Sequence, residues 1–334
     1  MLSLLTPEEF SIRRREKLLD YLQYTSNFEL SEYAFAIVTP SLISPHPDTT
    51  PYNLVEASAQ RASCALTHLA NCYSGGHTIA DLRSFFPTAL QYWEEYARYH
   101  LLYHATDEYS GERVAHIALL GADFYQANRL ICFAVLLGLS SLIPRILPII
   151  EYNNTQRDGM LDRIVALVHS SRGPLPDKCT RHLPYFKTLK IFSAPPDKRP
   201  EMMAEYLSNW YYASRREPYY DSENQDFFTG YWSYEAAAIT FLLRIDDSSY
   251  QTAPFYPQDL VDFSRSSSAQ FDLMGDVEPE PNALRSRAGD LCPESDKWLS
   301  LDAHQEVREH ELGEKMADLG SPYGLTVWKY IQKN

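Results

Sequence analysis

The sequence predicts an all-α protein: a multi-helix bundle of two helical subdomains, with a small C-terminal appended module that has room for a β-hairpin. Three observations predict it. Apolar and aromatic residues recur at helical spacing, as in Tyr92, Tyr96, Tyr99 and Tyr103, which share one helix face. Alternating β-branched runs, the mark of strands, are almost absent from the N-terminal half. Helix starts and stops can be read directly, from the Thr6-Pro7 start with Glu9 following to the Ser74-Gly75-Gly76 stop.

Taken in order, Thr6 is an N-cap, Pro7 the first helical residue and Glu9 the closing member of a capping box. The helix is expected to continue through residues 13–15 and 18–24 into a long amphipathic stretch with a break near Asn27. It should stop before the proline-rich loop 39–51. A second helix is expected over 53–73, a short third over 78–85 and a strong one over 88–105. Segments 114–119 and 124–142 follow, the latter nearly all apolar and therefore central; 161–169 is a further short helix. Gly173-Pro174-Leu175-Pro176 marks an internal boundary. Beyond it come a helix over 200–213, a polar turn over 221–224, an apolar helix over 234–245 and another helix entered at Pro257. Serine, acids and proline after residue 265 read as a linker. The expected division is 1–172, 173–265, a linker over 266–284 and a module over 285–334, with the hairpin around residues 326–330.

Composition narrows the function. At 334 residues and 45% hydrophobic, the chain can bury an ample core. A formal charge of -14 argues against a nucleic-acid binder, which needs a basic footprint, and favours a basic partner. Five scattered cysteines without CxxC spacing fit reduced thiols in a cytoplasmic protein. Residues 130–150 are interrupted by Ser140, Ser141, Pro144, Arg145 and Pro148, so they read as a buried helix and not as the ~20-residue apolar run of a membrane span. No membrane association and no signal peptide are expected.

Candidate chemistry is sparse. His100 and His104, four apart on the tyrosine-rich helix, face one way and could join in binding a metal, with Glu95 and Asp107 nearby in sequence. Neither an HExxH pattern nor an identifiable third ligand supports this, so no metal, cofactor or catalytic residue is assigned. His68, Cys72 and His77 surround the Gly-Gly turn, but a helical cysteine without an orienting carboxylate reads as buried structure. A metal-dependent helical hydrolase using His100 and His104 stays open as an alternative, as does a helical protein-interaction scaffold.

The stretch from Gly230 to Arg265 is more informative. Apolar residues cover almost every direction of the helix starting at Tyr234, so it should be buried, and Glu235 then needs a partner from outside it. Arg244 projects away from Glu235 on the same helix, leaving an anchor between helices as the favoured reading. Around this core, Glu217, Asp221, Glu223, Asp226, Asp246, Asp247, Asp259 and Asp262 cluster with few bases between them. Together with Tyr219, Tyr220, Phe255 and Tyr256 they have the composition of a polar protein-binding rim; Tyr256 and the eight acids are the expected partner-binding residues.

The residues Leu207-Ser208-Asn209-Trp210-Tyr211, Trp232-Ser233-Tyr234-Glu235-Ala236-Ala237-Ala238, Asp246-Asp247-Ser248-Ser249 and Tyr256-Pro257-Gln258-Asp259-Leu260-Val261, in that order, carry a resemblance. The pattern resembles the C-terminal domain of the PoNe-type (polymorphic nuclease effector) immunity family, with Trp232 and Glu235 as its structural motif. The tail, with Cys292-Pro293, Trp298, Gly313-Glu314-Lys315-Met316 and Tyr323-Gly324 to Trp328, is similar to an accessory module of some immunity proteins, although the usual glycine before the tryptophan is missing near Asp296. The resemblance implies a non-enzymatic, cytoplasmic protein. It would bind a cognate antibacterial DNase toxin delivered by type VI secretion, one to one, and cover its basic active site with an acidic surface.

Overall fold

The computed structural model describes residues 2–107, 109–169, 172–273, 285–300, 306–320 and 326–331. These form two units, Met1–Gln270 and Phe271–Asn334. The first is built from helices and the second from a small sheet, so the all-α class with an appended module holds.

Helix α1 (Pro7–Arg13) starts as its sequence dictates: Thr6 Oγ accepts from the Glu9 amide at 3.2 Å and the Glu9 carboxylate accepts from the Thr6 amide at 3.0 Å. It then stops at Arg13, earlier than expected, because Asp20 forms a second capping box with Gln23 and restarts the chain as α2 (Tyr21–Ile43). No break occurs at Asn27, whose buried amide donates to the Phe228 carbonyl at 2.8 Å. Helix α2 also runs through Thr39 and Pro40 into the expected loop; the proline lies in the last turn.

Helix α3 (Pro51–Gly75) ends as expected at Gly76, whose φ of 101° closes the helix in the left-handed region. A Cβ at Gly76 would collide with the Arg13 carbonyl. The two helices expected over 78–105 are one, α4 (Ile79–His104), which carries Pro87 in its interior. Residues 114–119 are not helical.

The apolar run 124–142 splits. Helix α5 (Phe124–Leu136) stops where Gly138 (φ 66°) lets the Leu139 amide turn back to the Ala134 carbonyl at 2.7 Å; α6 (Ile143–Glu151) then begins after a 3₁₀ turn. Helices α7 (Gly159–Ala166), α8 (Thr188–Ser193), α9 (Arg199–Ala213), α10 (Tyr234–Leu242) and α11 (Gln258–Leu273) complete the unit. Among the described residues, no helix is long and apolar enough to cross a membrane.

One apolar core extends from Leu5 to Val261, and α5 lies at its centre with every residue from Leu130 to Leu137 inaccessible to solvent. Helix α10 packs on α5, α7 and α9 through Ala236, Ala237, Ala238 and Ile239, and the small alanines allow the close approach. Each fully buried Leu or Phe contributes roughly 1.5–3 kcal/mol, so this central layer fixes the position of everything attached to α10.

The second unit is an antiparallel sheet of order β1-β4-β2-β3, comprising β1 (Arg285–Arg287), β2 (Asp296–Ser300), β3 (Val307–His310) and β4 (Val327–Ile331). Strand β4, expected within a hairpin, is an inner strand paired with both β1 and β2. Cys292, Trp298, Met316 and Trp328 form its core, and the two indoles donate to the Glu294 and Ala317 carbonyls at 3.0 and 2.8 Å. Tyr323, Gly324 and residues 274–284 of the expected linker lie outside the described residues.

Candidate functional site

Glu235 occupies the first turn of α10 and is 1% exposed. Its partners come from three directions, since the all-apolar helix offers none. Oε1 accepts from the Tyr206 hydroxyl, the Trp210 indole and the Ser233 hydroxyl, each at 2.7 Å, and Oε2 accepts from the Asn128 amide at 3.1 Å. Tyr206 and Trp210, one helical turn apart, present both donors from the same face of α9. Four neutral donors converge on one carboxylate, tying α5, α9 and the α10 entry together. Glu235 is the anchor expected between helices. The half-buried indole of Trp232 extends the same frame, donating to Ser74 Oγ at 2.8 Å beside Gly230, whose φ is 94°.

The expected acidic rim sorts into two kinds of residue. Glu217 is buried: its carboxylate accepts from Arg181 at 2.6 and 3.0 Å, and burial pushes its pKa up. Asp247 is buried too, accepting from Arg265 at 2.9 and 3.1 Å and from the Tyr256 hydroxyl at 2.9 Å. Tyr256 is itself 4% exposed, with its hydroxyl pKa raised by burial. These three are corrections to the expected rim, because desolvating a charge demands a partner, and their partners are internal. Asp259 is intermediate: it is half-exposed but pairs with Arg15 and accepts from the Tyr73 hydroxyl at 2.6 Å, joining α11 to α3.

Asp221, Asp226, Asp246 and Asp262 are exposed, and Glu223 is half-buried. They fall in two places. Asp221, Glu223 and Asp226 lie on the 221–230 segment, which the Gln23 amide (to the Glu223 carbonyl, 2.7 Å) and Asn27 hold against α2. A hydrogen bond from the Tyr231 hydroxyl lowers the Glu223 pKa. Asp246 and Asp262 both border Arg265. The Ser248 amide donates to Asp246 at 3.1 Å, and this bond lowers the Asp246 pKa. Removing Arg265 should show how structural the second cluster is. Arg265→Ala is expected to cost about 2 kcal/mol in urea unfolding, since it leaves buried Asp247 with only the tyrosine hydroxyl; a loss under about 0.5 kcal/mol would contradict this.

The histidines singled out in the sequence are packed among aromatic side chains. His100 and His104 of α4 are joined by His116: His100 Nδ1 and His116 Nδ1 share a hydrogen bond at 2.8 Å, and His104 Nδ1 meets the Tyr152 hydroxyl at 3.3 Å. Burial lowers the pKa of His100 and of His116 to about 4. His68 is packed between Phe28, Phe35 and Phe85, and burial takes it down to about 3. The Cys72 thiol beside it is inaccessible, with its pKa raised well above the ordinary value by the same desolvation, so it does not supply a thiolate. Among the described residues, no group of three or more His, Cys, Asp or Glu is placed to hold a metal ion.

One feature escaped the sequence reading. The outer face of α2 exposes Leu22, Leu30, Tyr33, Ile37 and Ile43. The available signal was compositional: Tyr21–Ile43 spreads its apolar residues round the helix instead of along one face, and it contains no Lys or Arg.

Comparison with known proteins bears on the whole arrangement. The fold is similar to the crystal structure of protein PA2201 from Pseudomonas aeruginosa, with a TM-score of 0.66 and 20% identity over 80% of this chain and 100% of that one. At that identity the likeness concerns fold alone. No curated protein matches. Residues 156–260 match the family described as PoNe immunity proteins (PoNi), C-terminal. That span begins before α7 and ends within α11, and it includes Tyr206, Trp210, Trp232 and Glu235. Across residues 156–260 this chain is therefore similar to the C-terminal domain of PoNe-type immunity proteins.

Proposed function

We propose that this protein binds and neutralises a DNA-cleaving toxin delivered by type VI secretion, acting in the cytoplasm as a one-to-one, non-enzymatic inhibitor. The family match over residues 156–260 carries the reading. The acidic balance supports it: a DNase must offer DNA phosphates a basic groove, and a protein of formal charge -14 competes for such a surface. In this reading the helical subdomains 1–172 and 173–265 act together through their shared core. The contact acids are the exposed members of the rim: Asp221, Glu223 and Asp226 beside α2, and Asp246 and Asp262 beside Arg265. Glu217, Asp247 and Tyr256 hold the surface from beneath, and Asp259 braces its edge.

Calorimetric titration with the nuclease domain encoded beside this gene tests the proposal. Asp221→Lys/Asp226→Lys and Asp246→Lys/Asp262→Lys are expected to keep the wild-type melting temperature. The pair that lies in the interface should weaken binding by about 10- to 100-fold and flatten its salt dependence. Wild-type affinity in both pairs would reject the acidic surface as the contact. A protein that neither binds the nuclease nor protects cells expressing it would reject the function.

A further inference from the structure

The outer face of α2 is left uncovered by the described residues of its unit. One side of the helix, through Tyr24, Phe28, Phe35, Val38 and Leu42, is buried, and this suffices to hold it on α3. The opposite side carries Leu22, Leu30, Tyr33, Ile37 and Ile43 at 74, 42, 64, 55 and 79% exposure. A large exposed apolar patch marks a binding surface.

The patch is shaped. Beside α2 lies a groove of about 540 Å³ whose walls include Leu30, Tyr33, Ile37, Cys64, Tyr125 and Phe227. From Leu30 to Ile37 the helix advances about 10 Å, which matches two turns of a helix laid alongside. Phe227 lines it with 56% of its surface exposed and a φ of 68°. A bulky residue in that region costs about 1–3 kcal/mol, and such strain persists only where neighbours enforce it. Here they do: Asn27 holds the Phe228 carbonyl at 2.8 Å and Ser74 holds the Thr229 carbonyl at 2.5 Å. The ring is thus presented to the groove by a pinned backbone.

Charge selects the occupant. Helix α2 has Glu29 and Glu32 and no basic residue, and Glu29 lies on the exposed face. Asp226 is exposed next to Phe227 and lines a smaller cavity that shares Thr67, Tyr125 and Phe227 with the groove. The basic group at this junction, Arg129, is occupied, stacked on Tyr125 and donating to Thr229 at 3.2 Å.

We propose that this groove is the anchoring site for the nuclease partner. It receives a short amphipathic helix that sets apolar side chains between Tyr33, Ile37 and Phe227 and flanks them with Lys or Arg facing Glu29 and Asp226. The assignment rests on the immunity function proposed above, and it joins α2, outside residues 156–260, to Asp226 and Phe227 within them. Apolar anchors supply the slow dissociation that screened surface acids cannot.

The test is calorimetry of the full chain against the same nuclease domain, with light scattering of the free protein. Tyr33→Lys/Ile37→Lys, at exposed positions, is expected to weaken binding by at least about 30-fold, with an unchanged helical circular dichroism spectrum. Phe227→Gly removes the anchor and relieves the positive φ, so it should bind about 10-fold or more weakly while melting no lower than wild type. Ile12→Lys, on α1, should stay within about threefold. If wild type binds and both groove variants bind equally well, the groove is not the contact, and the immunity reading survives without it. A wild type that fails to bind overturns both. A wild-type dimer that the double variant dissociates makes the groove a self-contact and overturns the proposal.

Discussion

Glu235→Ala is expected to destabilise the helical unit by about 4 kcal/mol or more, enough to leave much of the protein unfolded at 37 °C. The estimate follows from what the carboxylate leaves behind. Tyr206, Trp210, Ser233 and Asn128 would lose their buried acceptor, at about 1–3 kcal/mol for each group left unsatisfied. Relaxation and an entering water reduce that sum, and the truncated side chain adds a cavity. Glu235→Gln keeps the volume but turns one end into a donor facing donors, so a loss of about 2 kcal/mol is expected. Urea unfolding followed at 222 nm reports on this unit, which contains the described helices up to residue 270. A Glu235→Ala variant within about 1 kcal/mol of wild type would show that the four-donor site is not an anchor.

Acid should unfold this unit in a window set by its histidines. His77, His100 and His116 titrate at about 4 in the folded state and His68 at about 3, against 6.5 for the free side chain, chiefly because burial disfavours the imidazolium. The unfolded chain therefore takes up protons first as pH falls, and the slope follows from that difference. Stability from these groups is fully present above pH 6.5 and is lost progressively between there and about 4. Three carboxyls act the other way: Glu32, Asp158 and Glu217 have pKa values raised by desolvation, so protonation favours their folded state in the lower part of that window. Four histidines outweigh them, since each unit of depression is worth about 1.4 kcal/mol against a total stability of roughly 5–15 kcal/mol. Urea midpoints should fall steeply from pH 6.5 to 4.5, with unfolding complete near pH 4. A flat profile across that range would mean that the histidines titrate normally.

The immunity reading and the acid window meet in practice. Binding experiments belong above pH 6.5, where the histidine packing is intact. There, a change in affinity can be assigned to the surface and not to the fold.

What was legible in the sequence is local. Thr6, Pro7 and Glu9 specify the start of α1, and Gly76 the end of α3, because caps act through neighbours three or four residues away. The all-apolar span after Tyr234 announced a buried helix and made Glu235 an anchor that needed outside donors. The order of motifs between Leu207 and Val261 carried the resemblance that the family match over residues 156–260 supports. Less legible were Pro40 and Pro87, which read as breaks yet lie inside helices, because tertiary packing on α3 outweighs one lost hydrogen bond per proline.

Only the tertiary structure decided which acids are surface. Asp246 and Asp247 are adjacent in sequence, but one faces water while the other meets Arg265 and Tyr256 inside, and Glu217 finds Arg181 from 36 residues away. Composition counts charges but cannot assign their partners, since pairing depends on which distant elements the core brings together. The same holds for α2. Its sequence determined that apolar residues are not confined to one face; that one side stays uncovered by the described residues, with Phe227 beside it, is a consequence of packing alone.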